Sequence, residues 1–378
     1  MDLIPTNHAE LMAFLSEYKI FSAAIILLYS LVVTMIIMPR IVLISKKKNL
    51  TAQTNSRTSH KGGVPTLGGV GVFTGLILTV NFAAILFADY EQYVNLSIFN
   101  ILTLLLLLVG ITDDLMDTSP RKKFLYQLLI SLVFIFGTNI HIDSFFGLLG
   151  IHDIPNVLAS VFSAFVIVLL INAYNLIDGI DGLAGLVGVI VSGFMALAFY
   201  LSGNFFYSLI SLSLVGALIS FLIYNFSRRM KIFLGDTGSM VVGFVLAYQV
   251  VLYLSLANGN SEAFVFKNAP IFALALVSYP LFDTLRVMCL RLLNKKSPFL
   301  ADRNHIHHRL IDLGLAHKYA SLAVAFYTLL VTIIAVSINS LPINIAFIIM
   351  LVVVTCLLLL PFAICKKEGA WSLRFPKA

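Results

Sequence analysis

Long apolar segments recur along this chain and constrain its fold more than any other feature. Of its 378 residues, 60% are hydrophobic and only 11% are charged, whereas soluble domains carry roughly 25% charged residues. A membrane-spanning helix needs about 20 mostly apolar residues. Segments of this kind lie near residues 20–39, 67–88, 98–112, 124–138, 157–174, 183–201, 205–225, 239–257, 269–290, 319–337 and 342–364. We therefore predict an all-α integral membrane protein of about eleven transmembrane helices, with residues 1–378 forming one domain.

The basic residues are distributed unevenly between the two sides that these segments define. One side holds 23 of the 25 Lys and Arg residues, and the other holds only Lys19 and Lys267. Because cytoplasmic loops carry an excess of Lys and Arg, we expect the N-terminus outside and the C-terminus in the cytoplasm. Basic loops beside a membrane also account for the net charge of +7 without nucleic acid as a partner.

Carboxylates are crowded at the end of the third apolar segment, on the predicted cytoplasmic side. Asp117 follows Asp113 by four residues and Asp114 by three, so on a helix it shares a side with both. They repel one another unless a cation or a metal-bound phosphate is close. The alternative is a helix end wetted by lipid headgroups and paired with the basic residues 121–123.

A second polar group, NAYNLIDGIDGLAG, covers residues 172–185. Asn172, Asn175, Asp178 and Asp181 recur every three residues, and each step of three turns about 60° short of a full helical turn. From Asn172 to Asp178, the side chains therefore fan over one side of a helix. Their oxygens are the hard donors that Mg²⁺ prefers. The alternative is glycine-rich helix packing with polar caps.

Two further segments precede helices on the same side. Asp236 lies between glycines in FLGDTGSM, where it is a candidate metal ligand and also a candidate N-cap residue. The segment SHKGGVPTLGG covers residues 59–69, and a helix N-terminus after such a turn is an anion site in principle.

A histidine-rich segment, SPFLADRNHIHHRL, covers residues 297–310. Its cationic or titrating residues are Arg303, His305, His307, His308 and Arg309. Histidines at this spacing could suggest Zn²⁺, but no cysteine lies near and the surroundings are basic. Recognition of phosphates by guanidinium groups and of a base by imidazoles fits better. Together with the acids, the segment indicates phosphoryl transfer to or from a lipid at the cytoplasmic edge of the membrane.

In this order the motifs resemble the polyprenyl-phosphate N-acetylhexosamine-1-phosphate transferases, glycosyltransferase family 4. The resemblance runs from HKGGVPTLGG through DDLMD, NAYNLIDGIDGLAG, FLGDTGS and PLFDTLR to SPFLADRNHIHHRL. It implies transfer of a sugar-1-phosphate from a UDP-sugar to a lipid such as undecaprenyl phosphate, with release of UMP. It also implies an active-site cleft on the cytoplasmic face of a bacterial inner or plasma membrane. Mg²⁺, for which Mn²⁺ can substitute, and often a homodimer are implied as well.

The resemblance assigns roles to individual residues. Metal binding is assigned to Asp236 and Asn175, and catalysis to Asp113, Asp114 and Asp178. Substrate binding is assigned to Lys61, Asn172, Asp181, Arg303, His305, His307 and His308. The lead-in that several members show before the first loop is replaced here by TAQTNSRTSHKGG.

Three functions remain open at this point. HIHH after SPF resembles the branch that transfers GlcNAc-1-phosphate, or the 1-phosphate of a close N-acetylaminosugar. This reaction starts lipid-linked cell-envelope polysaccharides, such as O-antigen or teichoic acid. The branch that transfers phospho-MurNAc-pentapeptide to make peptidoglycan usually shows an HHHFE-like stretch, whereas Arg309 and Leu310 follow the histidines here. A lipid transporter without chemistry is expected to place its ionisable groups near the bilayer midplane, and here they cluster at one interface.

Overall fold

The chain folds as a bundle of long helices with two short β-hairpins. The computed structural model describes residues 15, 17–48, 50, 63–116, 118–259, 266–295, 304–367 and 370–373. In chain order the elements are α1 (Lys19–Lys47), α2 (Gly68–Phe87), α3 (Tyr90–Met116), α4 (Pro120–Thr138), β1 (Ser144–Leu148), β2 (Ile151–Asp153), α5 (Asn156–Ile177), α6 (Leu183–Leu201), α7 (Phe205–Asn225), α8 (Gly235–Gly259), α9 (Ala269–Leu276), α10 (Ser278–Leu293), α11 (Ile306–Asp312), α12 (His317–Ser337), α13 (Ile343–Ala363), β3 (Ile364–Lys367) and β4 (Ala370–Leu373).

The apolar segments form helices because hydrocarbon offers the backbone no other hydrogen-bond partners. Among the described residues, nine helices are long and apolar enough to cross a membrane, or up to ten if the bent pair α9 and α10 counts as one span. The segment predicted at 124–138 forms α4, but its first turn carries the three cations of residues 121–123. The multi-pass membrane fold is confirmed, and the number of about eleven spans stays a prediction. The orientation of the termini stays a prediction.

The bend between α9 and α10 has a local cause. The two helices meet at 71° around Val277. Pro280, in the first turn of α10, has no N–H to donate to the preceding turn, and its ring crowds the carbonyl four residues earlier. Within the bend, the Ser278 hydroxyl donates to the Ala275 carbonyl at 2.8 Å. The bend directs α10 out of the line of α9.

Helix α8 lies at the centre of the bundle, with buried residues all round its axis. Its first turn is approached closely by two other helices at glycines. A Cβ atom on Gly69 of α2 would lie 2.1 Å from the Gly238 nitrogen, and one on Gly110 of α3 would lie 2.4 Å from Thr237 Cα. Three backbones therefore meet at the N-terminus of α8.

The segment before α2 is joined to the segment before α8. Phe233 donates its N–H to the Pro65 carbonyl at 2.8 Å, and Gly68 donates to the Phe233 carbonyl at 2.9 Å. Gly69 likewise donates to the Leu234 carbonyl at 2.9 Å. The sequence predicted a possible anion site at the start of α2. In the structure, the Gly68 and Gly69 N–H groups of that first turn are instead bonded to carbonyls of the chain itself.

The two hairpins are the departure from an all-helical pattern. Strand β1 pairs antiparallel with β2, and β3 with β4. Leu149 and Gly150 turn the first hairpin with φ of 55° and 78°, the positive values that match strand twist in tight hairpins. The Leu149 N–H donates to Asn344 Oδ1 at 2.7 Å, which ties this hairpin to the start of α13. The single-domain interpretation stays a prediction.

Candidate active site

Asp236 occupies the first turn of α8 and faces an amide from α5. Asn175 Nδ2 donates to Asp236 Oδ1 at 2.5 Å and contacts Ser239 Oγ at 2.7 Å. Asn175 lies in the last turn of α5, so the two motifs that the resemblance links to metal binding meet at one end of the bundle. A carboxylate at a helix N-terminus is also favoured by the helix dipole. The two residues are close enough to share one ion.

Asp114 of α3 caps α8 from outside that helix. Its Oδ1 accepts the Asp236 N–H at 3.0 Å, and its Oδ2 accepts the Thr237 N–H at 2.9 Å and the Thr237 hydroxyl at 2.6 Å. Helix N-termini leave N–H groups without partners inside the helix, and Asp114 bonds two of them. It therefore sets the position of Asp236.

Lys123 bridges Asp113, which precedes Asp114 in the chain, to Asp236. Its ammonium group forms ion pairs with Asp113 Oδ2 and with Asp236 Oδ2, the latter at 3.1 Å. Asp113 also accepts the Thr118 N–H at 2.8 Å. The sequence analysis named residues 121–123 only as an alternative, as ion partners of the acidic helix end, and did not assign Lys123 to the site. A signal was present, because a cation in the first turn of a helix opposes the helix dipole and needs an anion nearby.

Asp178 follows the last residue of α5 and faces the start of α8. The Gly235 N–H donates a hydrogen bond to the carboxyl group of Asp178. Burial, and then the negative charges of Asp236 and Asp114, raise the pKa of Asp178 to about 8. Among the described residues, the converging carboxylates outnumber the Lys123 ammonium group that pairs with Asp113 and Asp236, and such an excess of negative charge favours a bound cation.

Asp181 belongs to a neighbouring ion pair. Lys231 Nζ lies 2.7 Å from Asp181 Oδ2, and His317 Nδ1 lies 3.7 Å away. Burial alone would raise the pKa of Asp181, but bonds to His317 and Lys231 outweigh it and lower the pKa. The Ser321 hydroxyl donates to the Asp181 carbonyl at 2.6 Å. The structure therefore places this aspartate where the α5–α6 loop joins α12.

Asn172 connects α5 to α4. Its Nδ2 donates to Gln127 Oε1 at 2.5 Å and to the Val168 carbonyl at 2.8 Å. Gln127 is buried one turn after Lys123. This contact therefore fixes the distance between the helix that carries Lys123 and the helix that carries Asn175.

The three histidines lie over the loop that begins with Asp178. The His305 and His307 rings stack at 5.6 Å with an interplanar angle of 11°. His307 is 1% exposed, and its Nε2 has no hydrogen-bond partner among the residues that the structure describes. A Cβ atom on Gly179 would lie 2.7 Å from that nitrogen. Burial, and then the charges of His308 and His305, lower the pKa of His307 to about 3. His307 is therefore neutral at physiological pH.

Two predicted site residues, Lys61 and Arg303, lie outside the described residues. Asp117 also lies outside them. Asp113, Asp114, Asn175, Asp178 and Asp236 are brought together, with Asn172, Asp181 and the histidines around them.

The donor chemistry fits Mg²⁺. Within the described part of the chain, no group of three or more His, Cys, Asp and Glu side chains is arranged to hold a metal ion by itself. Mg²⁺, however, is commonly held by one or two carboxylates together with substrate phosphates and water. Asp236 and the amide oxygen of Asn175 supply ligands of that kind, with Asp178 beside them.

Comparison with known proteins identifies the family to which the chain is similar. A family model described as glycosyl transferase family 4 matches residues 96–254, the range that carries the carboxylates, Lys123 and Asn175. A protein of Pasteurella multocida named undecaprenyl-phosphate alpha-N-acetylglucosaminyl 1-phosphate transferase is 32% identical over 290 residues, 75% of this chain and 77% of that protein.

Two further relatives are similar over most of their length. The protein of the same name from Salmonella typhi is 26% identical over 279 residues, 72% of each chain. A probable undecaprenyl-phosphate N-acetylglucosaminyl 1-phosphate transferase of Bacillus subtilis is 27% identical over 317 residues, 82% of this chain and 83% of that one. By sequence and by the residues gathered at the start of α8, this multi-pass membrane protein belongs to glycosyl transferase family 4.

Proposed function

We propose that this chain transfers N-acetylglucosamine-1-phosphate from UDP-GlcNAc to undecaprenyl phosphate and releases UMP. The observation that carries the proposal is Asp236, whose carboxylate is bonded by Asn175 on one oxygen and by Lys123 on the other. This arrangement lies at the end of a bundle of apolar helices, where a lipid phosphate and a water-soluble nucleotide can meet. The names of the relatives support the choice of sugar and lipid.

The reaction brings several negative charges together, and the residues present address that repulsion. An oxygen of the lipid phosphate attacks the β-phosphorus of the donor, and the bond from that phosphorus to the bridging oxygen breaks, so UMP leaves. A bound Mg²⁺ would supply positive charge on the pyrophosphate. Asp236 and Asn175 would hold the ion, and Mn²⁺ would fit the same ligands. Lys123 neutralises the charge that develops beside Asp113 and Asp236.

Asp113 is the member of the aspartate pair that we assign to the lipid phosphate. The Asp114 oxygens already accept three hydrogen bonds from the start of α8, whereas Asp113 faces Lys123. Asp113 would orient the lipid phosphate or accept its proton before the attack. A two-step route through an aspartyl phosphate is the alternative, and we favour the single step because phosphoryl transfer relies mainly on positioning and electrostatics.

The outer parts of the site complete the proposal. His305, His307 and His308, with Lys61 and Arg303, would bind the donor phosphates and sugar, and Asn172 and Asp181 would hold the loop that contacts them. The catalytic face would be cytoplasmic, in a bacterial inner or plasma membrane. The homodimer that the family resemblance implies stays a prediction.

A donor panel tests the proposal. Purified protein is incubated with undecaprenyl phosphate, Mg²⁺ and one of UDP-GlcNAc, UDP-GalNAc or UDP-MurNAc-pentapeptide, and UMP is measured. We expect the fastest release with UDP-GlcNAc and the product lipid pyrophosphate-linked to GlcNAc. Preference for UDP-MurNAc-pentapeptide would assign the protein to peptidoglycan synthesis, and no UMP with any donor would contradict a transferase.

A further inference from the structure

Asp283 is a fully buried acid outside the carboxylate cluster at α8. It lies on α10 and is 0% exposed. Its Oδ1 accepts Arg286 Nη2 at 2.8 Å and the Ile306 N–H at 3.2 Å, and its Oδ2 lies 3.0 Å from His305 Nδ1. Burying an ion pair rarely adds stability compared with apolar side chains of similar size. A role in positioning accounts better for this carboxylate.

The contacts determine which nitrogen of His305 carries a proton. Arg286 and the Ile306 N–H both donate to Asp283, so its carboxylate acts as an acceptor. His305 Nδ1 must then donate, and Nε2 is the nitrogen left to act elsewhere. The hydrogen bond at one ring nitrogen fixes the tautomer and the direction of the other.

Arg286 holds the same segment from a second direction. It also donates to the carbonyl of Asn304, and its guanidinium group lies 4.5 Å from the centre of the Phe362 ring at the end of α13. The residues on both sides of His305 are therefore bonded to one ion pair, the buried Asp283 and the half-buried Arg286. The His305 ring has little freedom to turn.

The orientation of His305 reaches the rest of the site through the stack of rings. His305 packs parallel to His307, and His307 Nε2 faces Gly179 beside Asp178. A change in the His305 ring would therefore change the surface that covers the α5–α6 loop.

We propose that Asp283 is a positioning residue that acts through His305, fixing the Nδ1 proton and the ring direction so that Nε2 faces the donor phosphates. The inference rests on the proposed function, because it needs His305 to contact the donor. Asp283 itself touches no substrate.

A double-mutant cycle tests this role. Asp283→Asn, His305→Ala and the double variant are assayed for UMP release with UDP-GlcNAc. The two Asp283 oxygens accept from Arg286 and His305 respectively, and in Asp283→Asn one of them becomes an amide nitrogen, which cannot accept. We therefore expect kcat to fall about 10- to 100-fold, as for partners that orient a functional histidine. The KM for undecaprenyl phosphate should be unchanged, and the double variant should lose no more than His305→Ala alone.

A matched control and two contrary outcomes complete the cycle. His305 immediately precedes the short helix α11, and Asp312 is an exposed acid at the other end of that helix. The control variant Asp312→Asn should retain full turnover. Additive losses in the double variant, or full activity of Asp283→Asn or His305→Ala, would overturn the proposal.

A second measurement does not depend on a foldable Asp283 variant or on activity. Nitrogen-15 NMR of the unaltered protein with labelled histidine, with His305→Gln used for assignment, reports which ring nitrogen is protonated. We expect a proton on His305 Nδ1, and a ring protonated only on Nε2 would overturn the inference. A protein that is inactive with every donor but shows the expected tautomer would refute the proposed function and leave the geometric role intact.

Discussion

The N–H of Asp236 donates to Asp114 Oδ1 at 3.0 Å, across 122 positions of sequence. One member of the aspartate pair therefore holds the backbone of the residue that we place at the centre of the site. The other member, Asp113, is ion-paired with Lys123. Two adjacent aspartates thus have separate tasks, since one fixes the helix that presents Asp236 and the other faces the charge beside it.

This division of tasks predicts different stability effects for the two aspartates. Asp114→Asn should lower the free energy of unfolding by about 1–3 kcal/mol, because an amide nitrogen would face donors that now lack a partner. Asp113→Asn should abolish most turnover with a smaller loss of stability, because Lys123 keeps Asp236 as a partner. Thermal unfolding in detergent measures the stability difference. Equal destabilisation by the two variants would contradict the capping role.

Gly235 offers a test of the close packing at the start of α8. It has φ of +71°, and a Cβ there would lie 2.2 Å from the Thr66 carbonyl oxygen and 2.7 Å from Asp114 Oδ2. Gly203 has φ of +77° with no heavy atom within 4 Å of such a Cβ. Because both values of φ are positive, alanine at either position would carry a similar backbone strain of about 1–2 kcal/mol.

We therefore expect Gly235→Ala to lose UMP release and Gly203→Ala to retain most of it. Because the strain is common to both variants, any difference between them measures the steric clash at the site. Similar activity in the two variants would show that the contact with Asp114 is unimportant.

Lys123 is predicted to act in the reaction as a positive charge. Lys123→Met leaves Asp113 and Asp236 without their shared cation, and loss of one such electrostatic group lowers kcat by about 100-fold or more. The control is Lys122→Met, which removes the same group from an exposed neighbour. Steady-state UMP release should separate the two variants, and wild-type turnover of Lys123→Met would refute the assignment.

His307 predicts how stability depends on pH. In the folded chain its pKa is lowered to about 3 from an ordinary value of 6.5. Between these values the unfolded chain binds a proton that the folded chain does not, so stability contributed by this residue is lost as pH falls below about 6.5. Thermal unfolding at pH 7.5 and 5 should show a smaller decrease for His307→Gln than for the unaltered protein. An identical decrease would contradict burial of a neutral His307.

The sequence could predict which motifs share a side of the membrane, but not which side chains touch. Apolar segment lengths and basic loops place Asn175 and Asp236 on one face, and the structure brings them into contact. The capping of α8 by Asp114 depends on how α3 packs against α8, and that packing requires Gly110. Local spacing carries no information about such a contact.

Lys123 and Asp283 were not predicted as site residues for the same reason, since their contacts depend on how helices pack. Lys123 stands in a run of three cations, and only the position of α4 decides which of them reaches the acids. Asp283 reaches His305 because α10 turns away from α9 at Val277. The hairpins escaped prediction because their strands have only three to five residues, too few for alternation to be evident.

The most direct test of the account measures UMP released from radiolabelled UDP-GlcNAc by the purified protein and by Asp236→Ala, with undecaprenyl phosphate and increasing Mg²⁺. The account predicts that the unaltered protein releases UMP only when both the lipid and Mg²⁺ are present. It predicts no release above background by Asp236→Ala at any Mg²⁺ concentration, with the variant still folded. Wild-type turnover of Asp236→Ala at saturating Mg²⁺ would contradict the central role of this carboxylate.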